Sequence, residues 1–341
     1  RRMMGAGVYD HGYLLGYERV KDHAPELDAP RHRLWRIRAK QIVTATGAIE
    51  RPISFAGNDI PGVMLASAVR DYAVNYGVAV GQKTVVVTNN DDGYRTALKL
   101  KELGVDVPAV IDAREDGAGA LADAARKAGI RVEPGKAIAK VKGGKRVEGV
   151  ELCRMQGNGG AVIETIKCDA VAMSGGWSPI VHLWSHCGGK LIWDEVESHF
   201  KPDADRAPTN QDGKPFVITA GSASGPLGLG EVLSDADAAG KKAAEAAGFT
   251  AASTPAPVGD ARDEKPMQPV WMMPSDAVYN LRMKMWLDYQ NDVKVSDVQL
   301  AAREGYESVE HTKRYTTLGM ATDQGKLSNI NGLAILADTL G

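Results

Sequence analysis

Short all-apolar runs alternate along the chain with amphipathic stretches, the pattern of strands exchanged with helices. Residues 34–37 and the run IVTATG at 42–47 read as two strands, the second β-branched and ending on a glycine that lets the backbone approach a neighbour closely. Pro61-Gly62 marks a turn. From Ser67 the positions Ala68, Val69, Tyr72, Ala73 and Tyr76 fall on one helical face, with Ser67 as N-cap and Gly77 as stop. A strand at 84–88, a helix at 92–103 closed by Gly104 and a strand at 105–111 make one βαβ unit. A helix at 118–128 ends at Gly129, and short strands follow at 130–132, 137–141, 147–152 and 162–166, with KGGK at 142–145 as a hairpin turn. DAVAM at 169–173 and FVITA at 216–220 are again buried strands, the latter followed by a glycine-rich turn and an alanine-rich helix at 231–247. Residues 250–274, with TPAP from Thr254 and the charged DARDEK from Asp260, read as a linker. Beyond it come short polar helices in which Val298, Leu300 and Val309 are the expected buried positions.

Three strands that end in ATG, SGG and AGSASG, interleaved with a βαβ unit and a small meander, occur in the order of the two-dinucleotide-binding oxidoreductases. The expected fold is therefore α/β: two Rossmann-like lobes followed by a small, mostly helical segment. The expected divisions are the remainder of a first dinucleotide-binding lobe at 1–80, a second lobe at 81–175, a return to the first at 176–249, the linker at 250–274 and the helical segment at 275–341. A chain of 341 residues is long enough for two such cores. The 38 glycines fit many tight turns and close backbone approaches.

Charge and cysteine narrow the function. A net charge of -2 gives no field to recruit nucleic acid or an anionic membrane. Cys153, Cys168 and Cys187 form no C-x-x-C, which argues against a redox disulfide, a spaced zinc motif or an iron–sulfur motif. Neither a run of 18 apolar residues nor a charged-then-apolar leader occurs, so a cytoplasmic protein is expected. The start, RRMMGAGVYD, enters mid-pattern without an initiator Met, as expected of a piece of a longer polypeptide whose G-x-G-x-x-G loop would lie upstream.

The turn at VVVTNNDDGYRTAL, residues 85–98, breaks the nucleotide-binding rule. A G-x-G-x-x-G window started at Asn89 meets Asn89, Asp91 and Tyr94, and one started at Thr88 keeps only Gly93. Asp91 and Asp92 at a helix N-terminus complement its dipole as caps and occupy the place of a phosphate, repelling any that approached. A dinucleotide would then use the first lobe, touching Thr46 and Gly47 of TATG and Gly221, Ser222 and Ala223 of AGSASG, with Leu227 and Leu229 beyond. Flavoproteins of this class place an aspartate after the last-strand glycine, but Ser222 stands there, which favours NAD over FAD.

The blocks YDH from Tyr9, ATGAIERP from Ala45, NDIPGVMLASAVR from Asn58, TNNDDGYRTAL from Thr88 and EHTKRYTTLGMATDQGK from Glu310 resemble the α subunit of heterotetrameric sarcosine oxidase. That resemblance implies a tightly held NAD in this chain, FAD in a partner β subunit, and FMN at the α/β boundary attached to β. It further implies γ and δ subunits, a small-molecule substrate, and a folate-binding, aminomethyltransferase-like domain beyond Gly341. The implied activity is oxidative demethylation of sarcosine to glycine with oxygen as acceptor, giving peroxide and a one-carbon unit for tetrahydrofolate. No general base, nucleophile triad or metal set stands out, in keeping with chemistry in another subunit. Lys313, Arg314, Thr316, Thr317 and Lys326 supply the cations and hydroxyls of a phosphate site in a glycine-containing loop expected to be mobile, and are the expected contacts of the FMN phosphate. HLWSHC at 182–187 and the tryptophans Trp177 and Trp193 read as structural, and WMMP at 271–274 as a linker anchor. The alternatives are the corresponding subunit of an amine or amino-acid dehydrogenase of the opine-oxidase or hydrogen-cyanide-synthase type, and a noncatalytic scaffold.

Overall fold

The computed structural model describes residues 3–9, 12–23, 26, 28–251, 254–259 and 264–341. Asp10 and His11 of the YDH block and the first four residues of DARDEK lie outside them. The chain forms two units, Arg1–Ile49 with Trp177–Arg262, and Glu50–Gly176 with Asp263–Gly341.

The second unit is built on a five-stranded parallel sheet in the order Val63–Leu65, Ala170–Ser174, Thr84–Thr88, Ala109–Asp112, Arg131–Pro134. Thr84–Thr88 is central and buried at every residue, which explains its near-continuous apolar run. Its side chains alternate between faces. Val86 packs with Val69, Tyr94, Ala97 and Leu100 of the helices Ala66–Tyr76 and Asp92–Glu102, with Ala122 and Ala125 of Ala120–Lys127 in the same cluster. Val85 and Val87 face Ile138, Val141, Val150 and Leu152 of an antiparallel meander, Lys136–Gly143, Val147–Arg154 and Glu164–Lys167. The strand expected over 105–111 covers only Ala109–Asp112, because Pro108 has no N–H to give the ladder.

Residues 50–80 belong to this unit, not to the first, because Val63–Leu65 pairs with 171–173 in parallel register. Residues 264–274 also belong to it and are packed against it, with Met273 fully buried and its N–H donating to Ser54 O. The C-terminal part wraps a small core of Met285, Leu287, Val295, Val298, Leu318 and Ile335. The Asn58 side chain pins it, donating to Trp286 O and accepting from Trp286 N–H, each at 2.9 Å. Val298 is buried and Val309 packs on the same core, but Leu300 is 38% exposed, since Val298 and Ala301 take the inner positions of Val295–Arg303.

The first unit holds an antiparallel sheet, Met3–Tyr9, Tyr13–Arg19 and His32–Arg38, and one parallel pair, Ile42–Thr44 with Val217–Thr219. Its core joins Val8, Ile42, Trp184, Phe216 and Val217. Trp193 lies in the hairpin Leu191–Asp194/His199–Pro202 and meets Phe200 edge-on at 5.0 Å. Helix Leu229–Ala246 follows the last strand.

Candidate functional site

The glycine-poor turn of the second unit is filled by its own chain. Asn89, Asn90 and Asp91 are buried at the carboxyl end of Thr84–Thr88, beside the point where strand order reverses and where open α/β sheets bind ligands. Asp91 and Asp92 are neither side-chain caps nor free charge, contrary to the sequence reading. Asp91 makes no cap hydrogen bond; instead the Asn90 side-chain oxygen accepts from the N–H of Asp92 at 2.9 Å. Asp91 pairs with Arg114 at 2.7 Å, and Asp92 with Arg70 at 3.0 Å. The residues that would hold a phosphate away are thus neutralised. Closure comes from occupancy by residues 264–268: Lys265 N–H donates to Asp91 at 3.0 Å, Asn89 Nδ2 donates to Gln268 O at 2.8 Å, and Gln268 N–H returns to Asn89 O at 3.1 Å.

Gly93, the glycine retained in the window, serves packing. A Cβ added there would lie 2.5 Å from Thr88 Cβ and Oγ1, so the bare glycine lets Asp92–Glu102 approach the central strand. Gly93→Ala should cost about 1 to 3 kcal/mol of stability in urea unfolding. A loss under about 0.5 kcal/mol would show that helix and strand separate freely and that the contact is unimportant.

The buried carboxyl of Glu50, in the ATGAIERP block, escaped the sequence reading. It is 2% exposed, accepts the Ser67 N–H at 2.8 Å through Oε2, and its Oε1 has no hydrogen-bond partner among the described residues. Ser67 is therefore not the N-cap: the helix begins at Ala66, and Glu50 supplies the acceptor its first turn lacks. Burial pushes the Glu50 carboxyl up to about 7, against the opposing influence of Ser174 and Ser67. The signal available in sequence was an acid placed between Ile49 and Arg51-Pro52 in an otherwise apolar run.

In the first unit, the TATG and AGSASG turns leave the same end of the parallel pair, since Thr44 is in register with Thr219 and Ala220 N–H donates to Thr44 O at 3.1 Å. Thr46 Oγ1 donates to Ile180 O at 2.6 Å, leaving Gly47 with φ of 75° and open space where a Cβ would stand. Gly221, also at positive φ, donates its N–H to Asp235 at 2.7 Å, and the Ser224 hydroxyl lies 2.6 Å from the same carboxylate oxygen. Asp235, on Leu229–Ala246, thus anchors the turn, a role the sequence reading missed. Ala223 is buried, Ser222 and Leu227 are half-buried, and Leu229 is exposed. A cavity of about 600 Å³ lies between Val217–Thr219 and that helix, lined by Asp235, Ser224, Ala239 and Lys242; none of the seven expected dinucleotide contacts lines it.

The expected phosphate cluster divides. Lys313 and Arg314 lie in the last turn of the helix Val309–Thr316, so this part is not a loop, and their charges complement the helix C-terminus. Thr316 Oγ1 donates to Thr312 O at 2.8 Å, Thr317 Oγ1 donates to Thr316 O at 2.6 Å, and Lys326 donates to Asp323 O at 3.1 Å. Gly319 and Gly325 do not loosen the segment as expected. A Cβ on either would run into the Asn329 side chain at 1.9 and 2.2 Å, so both are bare to seat that amide.

The cysteines carry no reactive signature: burial pushes the Cys153 and Cys168 thiols up to about 12, and Cys187 lies buried with Leu183 O 3.1 Å from its sulfur. Among the described residues, no group of three or more His, Cys, Asp or Glu side chains is placed to hold a metal ion, and no helix is long and apolar enough to cross a membrane.

Residues 282–341 match the family described as the sarcosine oxidase A3 domain. The whole chain is 39% identical to the sarcosine oxidase α subunit of Rhizobium meliloti strain 1021, and 98% of it is 40% identical to that of Corynebacterium sp. strain P-1. The chain is a homologue of sarcosine oxidase α subunits. It spans about a third of their length, 32% and 34% respectively. Among solved structures, L-proline dehydrogenase from P. horikoshii is similar with a TM-score of 0.69 and 22% identity, over 98% of this chain and 58% of that one. Thioredoxin reductase from T. acidophilum is similar with a TM-score of 0.50 and 17% identity, over 72% of each chain. Both likenesses give the fold that the strand order implied. The sarcosine oxidase α homology rests on the sequence.

Proposed function

We propose that the chain is the dinucleotide-holding part of the α subunit of a cytoplasmic sarcosine oxidase, which demethylates sarcosine to glycine with oxygen as acceptor and yields peroxide and a one-carbon unit for tetrahydrofolate. The observation that carries this is the identity of about 40% to sarcosine oxidase α subunits along the whole chain. The hydride acceptor in this reading is FAD held by a β partner, with FMN at the boundary and γ and δ subunits completing the complex. This chain's own residues bind and support.

The first unit fits a bound NAD at the turns of Gly47 and Gly221. Both have positive φ, the space over Gly47 is open to a ligand, and Asp235 fixes the second turn, where Gly221 itself packs against Val232. The second unit does not fit one, because its turn is occupied by residues 264–268. Lys313 and Arg314 have no ion-pair partner among the described residues and, with Lys326, are cations for the FMN phosphate at the boundary.

Sarcosine-dependent peroxide should form only when partner subunits are present, and mass spectrometry of ligand released from the denatured full-length subunit should find NAD. Turnover by this chain supplied with FAD alone, or release of FAD in place of NAD, would overturn the reading.

A further inference from the structure

The sequence holds two Asn-Gly bonds, Asn158-Gly159 and Asn331-Gly332. Asparagine before glycine is the pair most open to loss of its side-chain amide, because a residue without Cβ lets its backbone nitrogen swing onto the asparagine Cγ. The structure protects the two bonds differently. Asn331 is 1% exposed within the helix Asn329–Leu340, and the Gly332 N–H is committed to Ser328 O at 2.9 Å. Asn158 lies half-buried in the turn between the meander strands Val147–Arg154 and Glu164–Lys167, outside any helix or strand.

In that turn one carboxylate oxygen holds the backbone. Asp276 Oδ2 accepts from the Gly157 N–H at 2.7 Å and from the Gly159 N–H at 3.0 Å. The Gly159 N–H, and after it that of Gly157, holds the Asp276 carboxyl below the usual carboxylate range against the opposing effect of burial, so the group is charged at neutral pH. The Asn158 side chain is tied as well: Nδ2 donates to Ala161 O and Oδ1 accepts from the Gly160 N–H, each at 3.2 Å. Gly159 O accepts from the Val278 N–H at 3.2 Å and Met155 O from the Ser275 N–H at 2.9 Å, which docks the turn on residues 275–278.

We propose that Asn158 is a site of spontaneous deamidation that the Asp276 carboxylate holds closed. In that reaction the Gly159 nitrogen gives up its proton and attacks Asn158 Cγ. The N–Cγ bond forms, the Cγ–Nδ2 bond breaks and ammonia leaves; water then opens the cyclic imide to aspartate or isoaspartate. Nothing is oxidised or reduced, and water is the only other reactant. The Asp276 clasp opposes the first step twice. The proton to be lost is donated to Asp276, and the negative charge that must develop on the Gly159 nitrogen would stand 3.0 Å from a carboxylate oxygen, where like charge disfavours ionisation. Asp276 is exposed, so the clasp opens by local fluctuation and not only by global unfolding.

The product does not return to the clasp. Aspartate at 158 sets a second carboxylate beside Asp276, and isoaspartate adds a backbone carbon between the Gly157 and Gly159 N–H groups that share one oxygen. Either change undocks the turn from residues 275–278, so deamidation is a one-way loosening of the segment that leads into the C-terminal core.

The test is incubation of the full chain in mildly alkaline buffer, with aspartate and isoaspartate at 158 and 331 followed by peptide mass spectrometry. Asn158 should convert slowly in the parent, and about tenfold or more faster in Asp276→Ala, the size of one charge-assisted hydrogen bond, while Asn331 keeps its rate. In the urea-unfolded parent both should convert rapidly and alike. Deuterium uptake at the Ser275 and Val278 amides should rise in the deamidated chain. Equal rates at Asn158 in parent and Asp276→Ala, or a folded parent converting as fast as the unfolded one, overturn the proposal. Equal acceleration of Asn158 and Asn331 in the variant would trace the change to global unfolding and overturn it too.

Discussion

Replacing Arg114 with Met is expected to destabilise the second unit by about 3 to 5 kcal/mol, because it strands two carboxylates in the interior. The guanidinium, 7% exposed, lies 2.7 Å from Asp91 and 2.8 Å from Asp112, whose side chains are 3% and 0% exposed. Asp112 also takes the Tyr94 hydroxyl at 2.7 Å. Burial alone would push the guanidinium's pKa down, but the two carboxylates hold it above its usual value, so it stays charged. One cation therefore serves two anions, and neither anion has a second cation among the described residues. Urea unfolding of the chain measures the loss. The triple variant Arg114→Met, Asp91→Asn, Asp112→Asn, with the charges removed together, should recover a large part of it. A loss below about 1 kcal/mol for the single variant would mean that water reaches the carboxylates and that the triad is a surface pair.

Glu50→Gln is expected to change how stability responds to pH. The carboxyl's pKa rises from 4.5 to about 7 on folding, chiefly through burial. Between those values the unfolded chain has lost this proton and the folded chain retains it, so the group's contribution to stability falls as pH climbs and levels off above 7. At about 1.4 kcal/mol per pH unit the full penalty is about 3.5 kcal/mol, a part of it already present at pH 5. The amide of the variant has no proton to lose and its oxygen can still accept from the Ser67 N–H. The difference in stability, variant minus parent, should therefore grow in favour of the variant by about 3 kcal/mol from pH 5 to pH 8. A difference that stays flat across that range would show that the carboxyl ionises as freely folded as unfolded.

Most of the framework was legible because backbone rules carry it. The apolar run at 84–88 marked the central strand, the helix expected at 92–103 before Gly104 forms over Asp92–Glu102, and Gly77 ends its helix as expected. What failed was everything decided by distant partners. Nothing local says that Arg114 will neutralise Asp91 or that Glu50 will be sealed under Ser67. Residues 264–268 read as linker because their composition is polar, yet backbone hydrogen bonds to Asn89 and Asp91 hold them in place. Gly319 and Gly325 misled in the same way: glycine permits looseness and close approach equally, and only the position of Asn329 shows which applies.

The parallel pair of the first unit has a kinetic consequence. Ile42 meets Val217, whereas the sheet of the second unit is complete once Ser174 has joined Thr88. During synthesis the interrupted unit must hold Val8 and Ile42 exposed until Phe216 and Val217 arrive, while the inserted sheet can already close. Loop-closure entropy for so distant a pairing is recovered late. The strand Ile42–Thr44 thus spends the longest time as an unsatisfied edge, and it is there that a nascent chain of this topology is most open to mispairing and to capture by a chaperone.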